Sequence, residues 1–203
     1  MKKTLPFLLV FWLAGNFCFS QKIYHKKWID FNKNGQKDIY EDPAQPIDKR
    51  VDDLLSRMSM EEKTAQMVTL YGYGRVAKDE LPVEGWKSEV WSQGLGNIDE
   101  ASNGVYKDAK YKLPYSKHVW ALNEIQKFFV EETRLGIPVE FTNEGIRGLN
   151  HARATSLPSQ STFGNCWNKE LLRKAGEMVG KEAYALGYHN IYSPVLDVVR
   201  DPR

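Results

Sequence analysis

Apolar positions along this chain alternate between stretches with helical spacing and short continuous runs. In residues 47–58, IDKRVDDLLSRM, Val51, Leu54, Leu55 and Met58 recur at helical intervals, which predicts an amphipathic helix. Ser59, with Glu62 three residues on, forms a capping box for a second short helix, EEKTAQM, which runs into the apolar stretch MVTLYG. Residues 117–135 are again helical by period, and Gly136 with Pro138 ends that helix. PVEFT then reads as a strand, followed by a long loop containing ATSLPSQS. Asn168 caps a strong helix, KELLRKAGEMVGKEAYALG, stopped at Gly187. The apolar segment NIYSPVLDVV suits a buried parallel strand. Between Tyr73 and Tyr115 the chain is rich in Gly, Trp, Lys and Asp and reads as loop around a brief strand at LGNI.

Helices alternating with strands predict an α/β fold with parallel strands. A barrel of eight such units needs about 250 residues, more than the 203 present. The last residues, RDPR, directly follow a strand, where a parallel α/β fold places its functional loops.

The N-terminus changes the expected compartment. Lys2 and Lys3 precede LPFLLVFWLAG, an apolar run too short to span a bilayer, and residues 1–20 therefore read as a secretory signal peptide. Ser20, with Cys18 two positions earlier, fits a cleavage site and places the mature start near Gln21. Export to a periplasmic or extracellular location is expected, with no stable membrane anchor. Only Cys166 of the two cysteines would then remain, so no internal disulfide is expected. The formal charge of +2 includes both signal lysines, leaving a nearly neutral mature chain with no call for nucleic acid or an acidic membrane surface.

The stretch DFNKNGQKDIYE, residues 30–41, matches a twelve-residue calcium loop. Asp30, Asn32, Asn34 and Asp38 occupy ligand positions one, three, five and nine, and Glu41 is the bidentate twelfth. Gly35 stands at the sharp turn, and Gln36 would add a backbone carbonyl. No second loop accompanies it, as a calcium sensor would require, so a structural Ca2+ clip is expected, with no cofactor needed for catalysis. The alternative is an Asn/Gly-rich turn that needs no metal. The proline-punctuated DPAQP links this segment, residues 21–45, to the main domain at 46–203.

The second constellation lies at predicted strand ends. Glu144 follows PVEFT, while Asp197 and Arg200 end or follow NIYSPVLDVV. A carboxylate and a guanidinium presented together can each hold two vicinal sugar hydroxyls through paired hydrogen bonds; an ordinary loop ion pair is the alternative. His151 and His189 have no spaced partner, which gives metal catalysis no support. No Gly-rich phosphate loop and no nucleophile elbow is present.

Four strings carry a family resemblance: RVDDLLSRMSMEEKTAQM from Arg50, RLGIPV from Arg134, ATSLP from Ala154 and SPVLDVVRDPR from Ser193. Together they resemble the N-terminal barrel domain of glycoside hydrolase family 3, the β-glucosidase and β-xylosidase family. The resemblance implies the N-terminal part of a (β/α)8 TIM-type barrel, incomplete in this chain. It also implies exo-acting, retaining hydrolysis of terminal β-linked sugars, with a β-glycoside or oligosaccharide as partner. In such enzymes the first Arg of RDPR and a carboxylate after the GIPV strand bind the terminal sugar, which assigns substrate binding to Arg200 and Glu144. Glu144 stands where the family often has Asp, and Arg147 where it often has His. The extra methylene pushes the carboxylate toward the space a hexose hydroxymethyl group would fill, so a preference for xylosides or arabinosides is a hypothesis, with β-glucoside and β-xyloside both open as substrate.

Retaining glycosidases need a nucleophile and an acid/base carboxyl roughly 5 Å apart. The resemblance places both beyond Arg203, so no catalytic residue is expected within this chain. Pairing Glu144 with Asp197 as substitutes is the less favoured alternative, and a secreted, non-catalytic sugar-binding module is the rival function.

Overall fold

The computed structural model describes residues 22–71, 90–101 and 115–196. The signal segment, most of the Gly- and Trp-rich insert, Asp197 and Arg200 lie outside those residues.

Helix α1, Ile47–Arg57, and helix α2, Met60–Ala65, are separated by Met58 and Ser59. The capping box forms as read: the Ser59 hydroxyl accepts the Glu62 N–H at 3.2 Å, and the Glu62 carboxylate accepts the Ser59 N–H at 2.8 Å. That carboxylate has a second use. It also receives Arg134, through Nε at 2.9 Å and through Nη2, so the start of α2 is tied to the chain entering the third strand.

Strand β1, Thr69–Tyr71, follows α2, and a single 3-10 turn, Val90–Gln93, leads into β2, Asn97–Asp99. Helix α3, Tyr115–Glu132, precedes β3, Glu140–Glu144. Helices α4, Gln160–Asn165, and α5, Lys169–Ala185, precede β4, Asn190–Tyr192. The four strands form one parallel sheet in the order β1-β2-β3-β4. Each strand therefore pairs with the next one along the chain, a parallel sheet with flanking helices that corresponds to part of a (β/α)8 barrel.

The core lies where α3 covers β2 and β3. Ala121, Leu122, Ile125, Phe128 and Phe129 form one buried stripe on α3, packed with Leu95, Ile98, Val139 and Phe141. Fully burying a side chain such as Ile125 or Phe129 contributes about 1.5–3 kcal/mol, which is why this helix follows its periodicity closely.

Two expectations fail locally. Helix α4 falls inside the stretch read as loop; its signal is the N-cap Ser159, whose hydroxyl accepts the Thr162 N–H, and its six residues bury nothing. Of the segment read as a buried strand, described residues 190–196 hold the three-residue β4, exposed or half-buried, with no neighbour on its far side among the described residues. Leu171 and Leu172 on α5 likewise stay 46% and 40% exposed. No described helix is long and apolar enough to cross a membrane.

Candidate functional site

In a parallel α/β sheet the C-terminal strand ends carry the chemistry, because loops of free sequence converge there. Here β1 ends at Tyr71, β2 at Asp99 with Glu100 next, β3 at Glu144 and β4 at Tyr192. The register sets Tyr71 beside Asp99, Asp99 beside Thr142, and Glu144 beside Tyr192. Glu144 thus projects one pleat further out than Asp99.

These groups act on one another. The Tyr71 phenol is held above its ordinary range, first by the negative charge of Asp99, then by burial, then by Glu144 and Glu100. Asp99 is 2% exposed, and burial pushes its carboxyl up, partly offset by the Thr142 hydroxyl at 3.0 Å and the Glu100 N–H. Glu144 differs: it is half-buried, and among the described residues its carboxylate takes no hydrogen bond. Gly145 lets β3 and β4 lie close here, since a Cβ there would lie 2.4 Å from Ile191 Cγ2 and 3.1 Å from Ser193 Cβ, and those side chains would have to shift. The Ser193 hydroxyl donates to the Gly145 carbonyl at 3.1 Å and fastens the same point.

Beside Glu144 opens a pocket of about 550 Å³, lined by Arg147, Asn150, His151, Ala154 and Ser156 among others. Arg147 is exposed and His151 is buried. The His151 ring meets the buried His118 ring edge-on at 5.1 Å, and burial followed by His118 lowers its pKa to about 4, so it is neutral at pH 7. A half-buried carboxylate over a polar pocket can accept hydrogen bonds from two adjacent hydroxyls. Of the residues read from sequence as a sugar site, the structure places Glu144 here, while Arg200 and Asp197 lie outside the described residues. Asp99, Glu100 and Tyr71 were not foreseen; the signal available was an acidic pair, Asp99 and Glu100, directly after the short apolar run LGNI.

The loop of residues 30–41 lies at the other end of the sheet. Asp30, fully buried, accepts the N–H groups of Asn34 at 3.0 Å and Gly35 at 2.8 Å. Glu41, 2% exposed, accepts those of Phe31 at 2.7 Å, Asn32 at 3.3 Å and Asp38 at 3.0 Å. Asp38 receives the side-chain amides of Asn32 and Asn34, at 2.6 and 2.7 Å, and the Arg57 guanidinium. Gly35 sits at φ +78°, where a side chain would be strained, and Gln36 is exposed. Among the described residues no group of three or more His, Cys, Asp or Glu is arranged to hold a metal; the loop's carboxylates are taken up by backbone N–H groups, the two Asn amides and Arg57. The loop docks against the turn from α3 to β3: Lys33 Nζ donates to the Thr133 carbonyl, and the Tyr40 hydroxyl to that of Leu135 at 3.4 Å.

Residues 47–203 match the model of the glycosyl hydrolase family 3 N-terminal domain. A Formosa agariphila protein named "Putative beta-xylosidase" is 32% identical over 176 residues, covering 83% of this chain and 22% of its own length. An Aspergillus oryzae protein named "Probable beta-glucosidase C" is 27% identical over 84% of this chain and 27% of its own. The chain thus spans about a quarter of the length of these curated relatives. Among solved structures, a β-glucosidase from Erythrobacter marinus superposes with a TM-score of 0.67 at 24% identity, over 82% of this chain and 21% of its own. An exo-1,3/1,4-β-glucanase from a Pseudoalteromonas species gives 0.62 at 24% identity, over 79% and 19%. At that identity both speak to the fold alone, the partial barrel of parallel strands built here. With the family model matching more than three quarters of the sequence, the chain belongs to glycoside hydrolase family 3.

Proposed function

We propose that this chain is the sugar-binding N-terminal part of an exported, exo-acting β-glycosidase that hydrolyses terminal β-linked sugars with retention. The observation that carries the reading is Glu144: a half-buried carboxylate with no hydrogen bond among the described residues, at the C-terminal end of a parallel strand, above an open polar pocket. Its role is to hold two hydroxyls of the terminal sugar, with Arg200 as the second contact. The nucleophile and the acid/base belong, on this reading, to sequence outside residues 1–203.

The longer Glu144 side chain leaves less room for a hexose hydroxymethyl group, and the similarity to a protein named for β-xylosidase activity supports the same direction. The test compares hydrolysis of aryl β-xyloside and aryl β-glucoside by the complete enzyme. A higher kcat/KM for the xyloside is expected, and a clear glucoside preference would refute the pentose assignment. A protein that binds these sugars but turns over neither is instead the secreted binding module.

The loop of residues 30–41 is proposed as a structural Ca2+ clip. All six informative positions of the twelve-residue pattern match. Asp30, Asn32, Asn34, Asp38 and Glu41, with the Gln36 carbonyl, would hold the ion, which would supply a structural cross-link within the loop. Calcium titration by calorimetry checks this: one site with a Kd of about 0.1–1 mM is expected, and an absence of binding heat at 10 times that concentration removes the metal and leaves a self-satisfied turn.

A further inference from the structure

Glu100 has three features that a loop residue following a strand does not need. It is 4% exposed although charged, its φ is +50° although it is not glycine, and its carboxylate reaches a residue 50 positions away. Its N–H donates to the Thr142 carbonyl at 2.9 Å and so continues the β2–β3 pairing past the last residue of β2. The left-handed turn at this point sends the chain away from the sheet while the side chain stays over it. One partner that holds it there is the side-chain amide of Asn150, which donates to Glu100 Oε1.

Asn150 closes the loop that begins at Glu144. Its N–H lies 2.9 Å from the Glu144 carbonyl and 2.8 Å from Asn143 Oδ1, and its carbonyl accepts the Asn143 side-chain amide at 3.1 Å. Asn143 is fully buried, so this reciprocal pair is a fixed base. The pair closes the loop on β3 itself; Ser193 fastens the Gly145 carbonyl on the β4 side, and the Glu100 contact is the side-chain tie on the β2 side. It connects the end of β2 to the residue that holds the Glu144 carbonyl.

We propose that Glu100 and Asn150 form an interstrand clasp that positions Glu144 for the terminal sugar. The proposal rests on the reading of Glu144 as the sugar-binding carboxylate. Glu100 acts through Asn150 and the Glu144 backbone and is a positioning residue. Its side-chain oxygen is the acceptor for the Asn150 amide; a glutamine keeps such an oxygen, whereas an alanine has none. Exchanging the two chemistries, with Gln at 100 and Asp at 150, reverses donor and acceptor and keeps the number of carboxylates at the sheet edge constant.

The test uses the complete enzyme and an aryl β-glycoside. Variants Glu100→Ala, Glu144→Gln, both together, and the exchange pair Glu100→Gln with Asn150→Asp are compared for KM, kcat and Tm. Glu100→Ala is expected to raise KM about tenfold with kcat within twofold, its effect is expected to vanish in the Glu144→Gln background, and the exchange pair is expected to keep most of the original KM. Multiplying effects in the double variant, or a KM unchanged by Glu100→Ala while Glu144→Gln raises it, overturns the clasp and leaves the sugar-binding role of Glu144 intact. A KM unchanged by Glu144→Gln refutes that role and the clasp with it. Should Glu100→Ala fail to fold, Asn150→Ala, which removes the side-chain donor and keeps the backbone N–H bonds to Glu144 and Asn143, is run through the same cycle, and an unchanged KM again overturns the proposal.

Discussion

The two ends of this sheet use carboxylates in opposite ways. At the end where the chain enters β3, Asp30, Glu41 and Glu62 are each 4% exposed or less, and every one is taken up by backbone amides or by Arg134. At the exit end, Asp99 and Glu100 are likewise buried and hydrogen-bonded, by Thr142 and Asn150, but Glu144 is half-buried and takes no hydrogen bond among the described residues, and burial pushes Asp99 upward in pKa. Spent hydrogen-bonding capacity gives stability, and unspent capacity is what a ligand can use. The entry end therefore holds the fold, and the exit end is where β-linked sugar recognition is proposed. The two are separated by the length of β3, five residues with a rise of about 3.3 Å each.

The strongest way to break this comparison is to remove one carboxylate from each end. Glu144→Gln is expected to lose about 1.5–3 kcal/mol of sugar binding, a KM rise of roughly 10- to 150-fold, with Tm nearly unchanged. Asp30→Ala is expected to cost about the same 1.5–3 kcal/mol, but of folding stability, read as a fall in the denaturation midpoint with KM unchanged. If Asp30→Ala moved KM, or Glu144→Gln moved only Tm, the division between the ends would fail.

Acid sharpens the same contrast. His151 at the exit end titrates near 4 in the folded chain, below its ordinary 6.5. Between those values the unfolded state binds a proton that the folded state does not, so stability falls as pH drops through that window. Glu62 at the entry end is pushed up by burial, but Arg134 and the Ser59 N–H outweigh this and hold it below 4.5. Its contribution is lost only below 4.5, as pH falls through the lowered value. Thermal melts from pH 7 to 3 are expected to show His151→Gln flattening the upper part of the profile and Glu62→Gln the lower part.

Calcium gives a smaller effect of the same kind. At about 5 mM, a site with a Kd of about 0.1–1 mM adds about 1–2 kcal/mol. A rise in Tm is expected that Glu41→Gln abolishes, with KM for the sugar unaffected. The smallest expected effect is Ser59→Ala, about 1 kcal/mol of stability, seen in the same melts.

Much of the fold was legible because its causes are local. The α3 stripe recurs every three or four residues, so Ile125 and Phe129 declared their burial before any partner was known. Helix α4 was missed because it is six residues long and polar, too short for a period to show. The buried reading of β4 overreached, since apolar content says what a strand prefers and not whether a neighbour is there to cover it. At the proposed site, Glu144 stands out in the sequence because strand, loop and family pattern all point to it. Asp99 and Glu100 were missed because their importance comes from strands that lie beside them only after folding.

The sequence by itself determined the helices and their caps, the alternation that makes a parallel sheet, the twelve-residue loop pattern and the strings that mark the family. All of these are set by interactions within a few residues, or by the order of motifs along the chain. The tertiary structure alone decided that Glu62 meets Arg134 at a separation of 72 residues, and that Glu100 meets Asn150 at 50. Such contacts depend on strand register and on helix packing across the sheet, where one step of pleat moves a side chain to the opposite face. No local pattern encodes that choice, because it is made by the summed burial of residues such as Ile98, Ile125 and Phe129 that lie far from either partner in sequence.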